Sequence, residues 1–169
     1  MKQLFSLIFF LMTVNAYSQN FDFDKSGNLI WQCTYNTDMT SSELHKSLCV
    51  CSHLRDVEKV DSTFYIATLK RSKVSYEDFG YKRMQLPLYV VNNDIESADV
   101  IIQYKEGKYR ITLKNINLAS LTGMNYGTLH DMAIGEDGYF TDLFMKDARN
   151  IYHLNFKRWL ELESISNDW

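Results

Sequence analysis

Between Asp99 and Asn115 the chain carries two alternating runs that meet at Glu106 and Gly107, and no other stretch restricts the fold as strongly. With those two residues as the turn of a β-hairpin, Tyr104 faces Tyr109, Ile102 faces Ile111 and Val100 faces Leu113 on one side. The other side pairs Gln103 with Arg110 and Asp99 with Lys114. Each cross-strand pair of this kind contributes about 0.2–1 kcal/mol, and a slip of one residue would undo both faces at once. One face is apolar and the other polar, which is the signature of an antiparallel sheet covered on one side and wet on the other.

The flanking segments supply the partners. From Asn28 the apolar residues Leu29, Trp31, Cys33 and Tyr35 alternate with Gln32 and Thr34, a half-buried strand. A helix follows at Thr40, which can cap the first free amides while Glu43, three residues on, reaches back to complete a capping box. Leu44, Leu48, Cys51 and Leu54 recur at helical spacing, so the helix is expected to run to Leu54. Thr63–Lys70 and Lys73–Phe79 are rich in aromatic and β-branched residues and read as two adjacent strands. Gln85–Val91 is also extended in character, with Pro87 confining it to an edge or a strand start.

Four of the seven glycines fall between Gly123 and Gly138, so 117–140 reads as a long irregular connection with a short helical turn around Thr128–Ile134. Such a connection is either a functional loop or a tolerated surface insertion. The chain then closes with a helix over 142–163, whose stripe of Phe144, Ala148, Ile151, Tyr152, Trp159 and Leu162 faces the core. Lys146, Asn150, His153 and Lys157 take its polar side.

At the N-terminus, Lys2 precedes an apolar stretch from Leu4 to Val14, with small residues at Ala16 and Ser18. This is the pattern of a signal peptide over residues 1–18, cleaved before Gln19; the apolar stretch is too short to span a bilayer core. No cysteine follows it closely enough for lipid attachment, the first being Cys33. The product is expected to be exported without a transmembrane span. A polar lead, 19–27, ends in the turn Asp24-Lys25-Ser26-Gly27; its likeness to a calcium loop fails because the twelfth position is Cys33 and not a carboxylate. Cys33, Cys49 and Cys51 are odd in number, so any bridge leaves a free thiol, and Cys49 and Cys51 point to different sides of one helix.

The assembled order is β-α-β-β-β-β-α: an α+β domain of about five antiparallel strands with two helices on one face, its core over 28–116 and its last helix over 141–169. The strand starting Gly27-Asn28-Leu29-Ile30-Trp31, the capped helix starting Thr40-Ser41-Ser42-Glu43-Leu44, and the hairpin Lys105-Glu106-Gly107-Lys108-Tyr109-Arg110 together resemble an exported family of Gram-negative bacteria. That family is a domain of unknown function with a TATA-binding-protein-like (TBP-like) fold. The resemblance covers about 28–116; it implies the fold, and a periplasmic or secreted location. It implies no catalytic residues, and the fold name implies no DNA binding.

With 21 acidic against 18 basic side chains the chain lacks the basic excess of a nucleic-acid reader. His45, Cys49 and His53 recur every four residues opposite the helix stripe, yet residues 45 and 53 would lie about 12 Å apart along a helix, too far to share one zinc ion. No metal or cofactor is expected. The hydrolase motifs Gly-x-Ser-x-Gly and His-Glu-x-x-His are absent, and no cysteine sits at a strand-to-helix turn where its thiolate would be activated. The leading expectation is a non-enzymatic module that binds a protein, peptide or envelope component through Arg110, Thr112 and Lys114 on the wet sheet face, or Tyr126, His130 and Tyr139 in the glycine-rich loop. The alternative is a small Cys/His hydrolase or thiol enzyme built on Cys49 with His45 or His53.

Overall fold

The computed structural model describes residues 20–120 and 125–162; the signal peptide expected over 1–18, and the cleavage expected before Gln19, lie outside them. Among the described residues seven strands form one antiparallel sheet, running across it as β1 (Phe21–Phe23), β2 (Leu29–Asn36), β6 (Lys108–Ser120), β5 (Asn93–Lys105), β4 (Phe64–Leu69) and β3 (Leu54–Lys59), with β7 (Asn125–Thr128) pairing the far end of β6. The hairpin holds the register expected of it: β5 (Asn93–Lys105) and β6 (Lys108–Ser120) pair Val100 with Leu113, Ile102 with Ile111 and Tyr104 with Tyr109. Val100, Ile102, Ile111 and Leu113 are all buried. On the outer face Gln103 lies opposite Arg110 and Asp99 opposite Lys114, as expected, although the charged ends of the second pair do not meet. Lys114 instead reaches Asp24 at 3.1 Å, and Asp99 accepts from the Asn115 side chain.

Two helices close the inner face. The first, α1 (Ser41–Val50), begins with the capping box of Thr40 and Glu43 and buries Leu44, Ser47 and Leu48. Near its start, the Tyr65 hydroxyl of β4 (Phe64–Leu69) donates to the Ser41 carbonyl, and Tyr104 donates to that of Met39. A π-helical turn, Phe144–Ala148, leads into the last helix, Arg149–Leu160, which buries Ile151, Tyr152, Asn155, Phe156, Trp159 and Leu160. Its side chains meet β2 (Leu29–Asn36): Trp31 packs edge-on against Phe156, and the Tyr35 hydroxyl donates to the Lys157 carbonyl.

The sheet is larger than the five strands read from the sequence, and four segments differ from their reading. β1 (Phe21–Phe23) lies in the segment expected to be a polar lead; its Phe21 is fully buried against Phe144 and pairs with Trp31. α1 stops at Val50 and not at Leu54, because β3 (Leu54–Lys59) finds backbone partners along β4, with Leu54 opposite Leu69.

Lys73–Phe79 is not a strand. The chain makes a single bridge, Ser72 to Ile95, and then the buried Asn155 side chain binds both the amide and the carbonyl of Ser75, at 3.0 and 2.9 Å. A helix side chain thus satisfies the backbone where a neighbouring strand would have done so. Gln85–Val91 is not a strand either: Leu86 and Pro87 are extended, and a short α2 (Leu88–Val91) begins directly after Pro87, where the missing amide costs nothing.

The described residues of the glycine-rich segment include two strand segments and a short helix. Asn115 adopts φ 49°, a left-handed conformation that asparagine tolerates, and beyond this irregularity β6 continues to Ser120. β7 (Asn125–Thr128) returns along it, and α3 (Leu129–Ala133) follows with a capping box of Thr128 and Asp131, matching the helical turn expected there. The last helix is therefore α4.

Candidate functional site

The distal end of the β5–β6 hairpin forms the candidate site. Gly107, at φ 79°, supplies the positive φ that the tight turn requires, and its carbonyl accepts from the Thr37 amide at 3.1 Å, tying the turn to the β2–α1 connection. A groove of about 240 Å³ opens here, lined by Thr34, Gln103, Tyr104, Lys105, Lys108, Tyr109 and Arg110. The guanidinium of Arg110 donates from Nε and Nη2 to Gln103 Oε1, at 3.2 and 2.6 Å, which fixes its direction. Lys105 and Lys108 face each other across the last pair of the hairpin. Among the described residues neither lysine nor Arg110 makes an ion pair. Lys105, Lys108 and Arg110 together outweigh the exposed Glu106 of the turn, so the hairpin end carries a net positive local charge that favours anionic groups.

Of the residues expected on the wet sheet face, only Arg110 lines this groove. Thr112 is 5% exposed and accepts from Gln32 Nε2 at 2.9 Å, so it belongs to the packing of the outer face and is not displayed on it. Lys114 is spent on Asp24. That carboxylate also caps the amides of Ser26 and Asn28, which with Lys114 hold its pKa down to about 2.

The loop residues do not converge on the groove. His130 lies on α3, where its Nδ1 accepts from the Leu29 amide at 3.2 Å and so closes the start of β2. Leu29 is five residues from Thr34, the groove residue of the same strand, a separation of about 17 Å. Tyr139 is 73% exposed in a turn held by the Gly135 amide and its own carbonyl. Tyr126 sits on β7, and its side chain lies outside the described residues.

The thiol and histidine readings separate as well. His53 falls beyond the end of α1, stacks on Trp159 at 5.5 Å and bonds Ser72 through Nδ1 at 3.0 Å. Burial and the charge of Arg158 push its pKa down. The triad of His45, Cys49 and His53 is therefore not on one helix, and among the described residues no group of three or more His, Cys, Asp or Glu side chains is placed to hold a metal. Cys49 Sγ does lie 3.6 Å from His45 Nε2, with His45 stacked on Tyr65. His153, expected on the solvated side of the last helix, instead accepts from the Trp31 indole.

Lysines 105 and 108 were visible in the sequence only as hairpin flanks; what makes them a site is the turn that sets them beside Arg110. In comparisons with known proteins, no family model and no curated protein matches the chain. A crystal structure described as a DUF4468 family protein from Bacteroides ovatus ATCC 8483 is similar at a TM-score of 0.45 and 12% identity, over 80% of this chain and 82% of that one.

Proposed function

We propose that the chain works outside the cytoplasm as a non-enzymatic binding module, whose hairpin end holds an anionic segment of a protein, peptide or envelope component. The observation that carries this reading is the trio of Lys105, Lys108 and Arg110 around one groove without a carboxylate partner. Arg110 presents a directed planar donor, and the two lysines add charge without fixed geometry. Export rests on the leader pattern of residues 1–18, and a TBP-like layout is supported by the antiparallel sheet that carries α1 and α4 on one face.

The test is direct. A hexaglutamate peptide should bind at low ionic strength, and the double variant Lys105→Glu/Lys108→Glu should weaken it at least about tenfold. Equal binding by the variant would contradict the assignment.

The thiol-enzyme reading keeps one supporting observation, the Cys49–His45 contact at 3.6 Å. Among the described residues no carboxylate or carboxamide hydrogen-bonds His45 to orient it as a base toward Cys49, and this favours the binding reading. Alkylation of Cys49 that abolished a hydrolytic activity of the protein would reverse that preference.

A further inference from the structure

The outer side of α1 carries a contact that the hairpin end does not use. Cys49 Sγ lies 3.6 Å from His45 Nε2, one helical turn away. Cys49 is exposed and His45 half-buried, while Leu44 and Leu48 hold the opposite side of the helix in the core. The His45 ring is set by its stack on Tyr65 at 5.5 Å, and the Tyr65 hydroxyl in turn donates to the Ser41 carbonyl at 2.9 Å. Packing therefore places this sulfur and this nitrogen side by side on a rigid element.

Their spacing is that of two ligands on one ion. Zinc binds thiolate sulfur at about 2.3 Å and imidazole nitrogen at about 2.05 Å, and at a tetrahedral angle these bonds set the two atoms about 3.6 Å apart. An ion enters the gap without movement of the helix, and the thiol proton leaves to solvent. Thiolate with imidazole also selects zinc over the hard ions magnesium and calcium.

One sulfur and one nitrogen are only half of a tetrahedral set. Structural zinc takes four protein ligands and catalytic zinc three with a water, so the pair falls short of both. His53 does not complete it, because its ring is turned to Trp159 and Ser72 beyond the end of α1. Among the described residues no third His, Cys, Asp or Glu joins the pair. The missing ligands have to come from another chain.

We propose that His45 and Cys49 form half of a zinc site that the same pair of a second copy completes, giving a Cys2His2 ion on the two-fold axis of a zinc-linked dimer. A two-fold contact presents one surface to itself, so a second copy supplies the absent sulfur and nitrogen together. Val50, next in sequence to Cys49, is 69% exposed and gains an apolar cover in the same contact.

Sedimentation velocity of the protein in a phosphine reductant, with and without zinc chloride, tests the proposal; the reductant excludes a disulfide-linked pair. The protein should be a monomer in EDTA and a dimer in zinc at one ion per two chains, and EDTA should restore the monomer. Cobalt(II) in place of zinc should give the visible absorption of a tetrahedral thiolate site. Cys49→Ser and His45→Gln should each lose both the dimer and the cobalt absorption, and Cys51→Ser should keep them. A dimer that persists in EDTA, zinc bound one to one by a monomer, no response to zinc, or an unchanged response in either folded variant would overturn it.

Discussion

The indole Nε1 of Trp31 donates to Nδ1 of His153 across 3.2 Å, joining the centre of β2 to the middle of α4. The bond requires Nδ1 to be unprotonated, which in the neutral ring leaves the proton on Nε2; the Asn20 amide, 3.3 Å from Nε2, accepts that proton only with its oxygen turned toward the ring. Burial, with Lys157 and Arg149 nearby, pushes the pKa of His153 below its ordinary 6.5. His53 is pushed down too, by burial and by Arg158.

Lowered histidine pKa values make stability fall on the acid side. The unfolded chain takes up protons near pH 6.5 while the folded chain resists, so stability is complete above that value. It declines as pH drops through the folded pKa. Denaturant midpoints should therefore decrease between about pH 6.5 and 5, before the carboxylates titrate. His153→Gln should flatten part of this decline, at a cost of about 1 kcal/mol at neutral pH for the altered hydrogen bond. An unchanged pH profile in the variant would refute the role given to His153.

Removing Ile102, fully buried in the hairpin core, should cost far more than altering its outward neighbour. Ile102→Ala is expected to lose about 2–5 kcal/mol in chemical unfolding, and Gln103→Ala to stay within about 0.5 kcal/mol. Comparable losses would mean that the faces are assigned wrongly.

The Thr40 cap is a local test of α1. Its hydroxyl accepts from the Glu43 amide at 3.3 Å, and Thr40→Ala should destabilise the protein by about 1 kcal/mol without altering the m-value.

Asn93 carries the reverse expectation. Its carboxamide is buried and unpartnered, so Asn93→Leu should raise the stability of the free protein by about 1–3 kcal/mol. A loss of similar size would mean that the amide is satisfied in the native state.

What could be read from residues alone follows from where the determinants lie. The β5–β6 register is local: its alternation, its turn glycine and its opposed pairs all fall within one stretch, and the structure reproduces it pair by pair. The Thr40 capping box is local in the same sense. The readings that changed depend on distant partners. Leu54 fits a helical stripe and becomes a strand residue because β4 offers its edge. Lys73–Phe79 has strand composition and is drawn to α4 by Asn155, eighty residues away from Ser75. Thr112 alternates outward and is still covered, because Gln32 of the adjacent strand lies over it. The hairpin-end groove was half legible: its residues are contiguous, but Thr34 joins them only through pairing with β6. Asn93 gave no warning, since Asn92-Asn93-Asp94 has the composition of a turn.

The hairpin end as the binding surface is tested most directly by mapping backbone amide shifts during titration with hexaglutamate at low and at physiological salt. The account predicts shifts confined to Thr34 and to the 103–110 segment, saturating at low salt and weakening as salt rises. Shifts centred on α1 around Cys49, or no saturable shifts at either salt concentration, would contradict it.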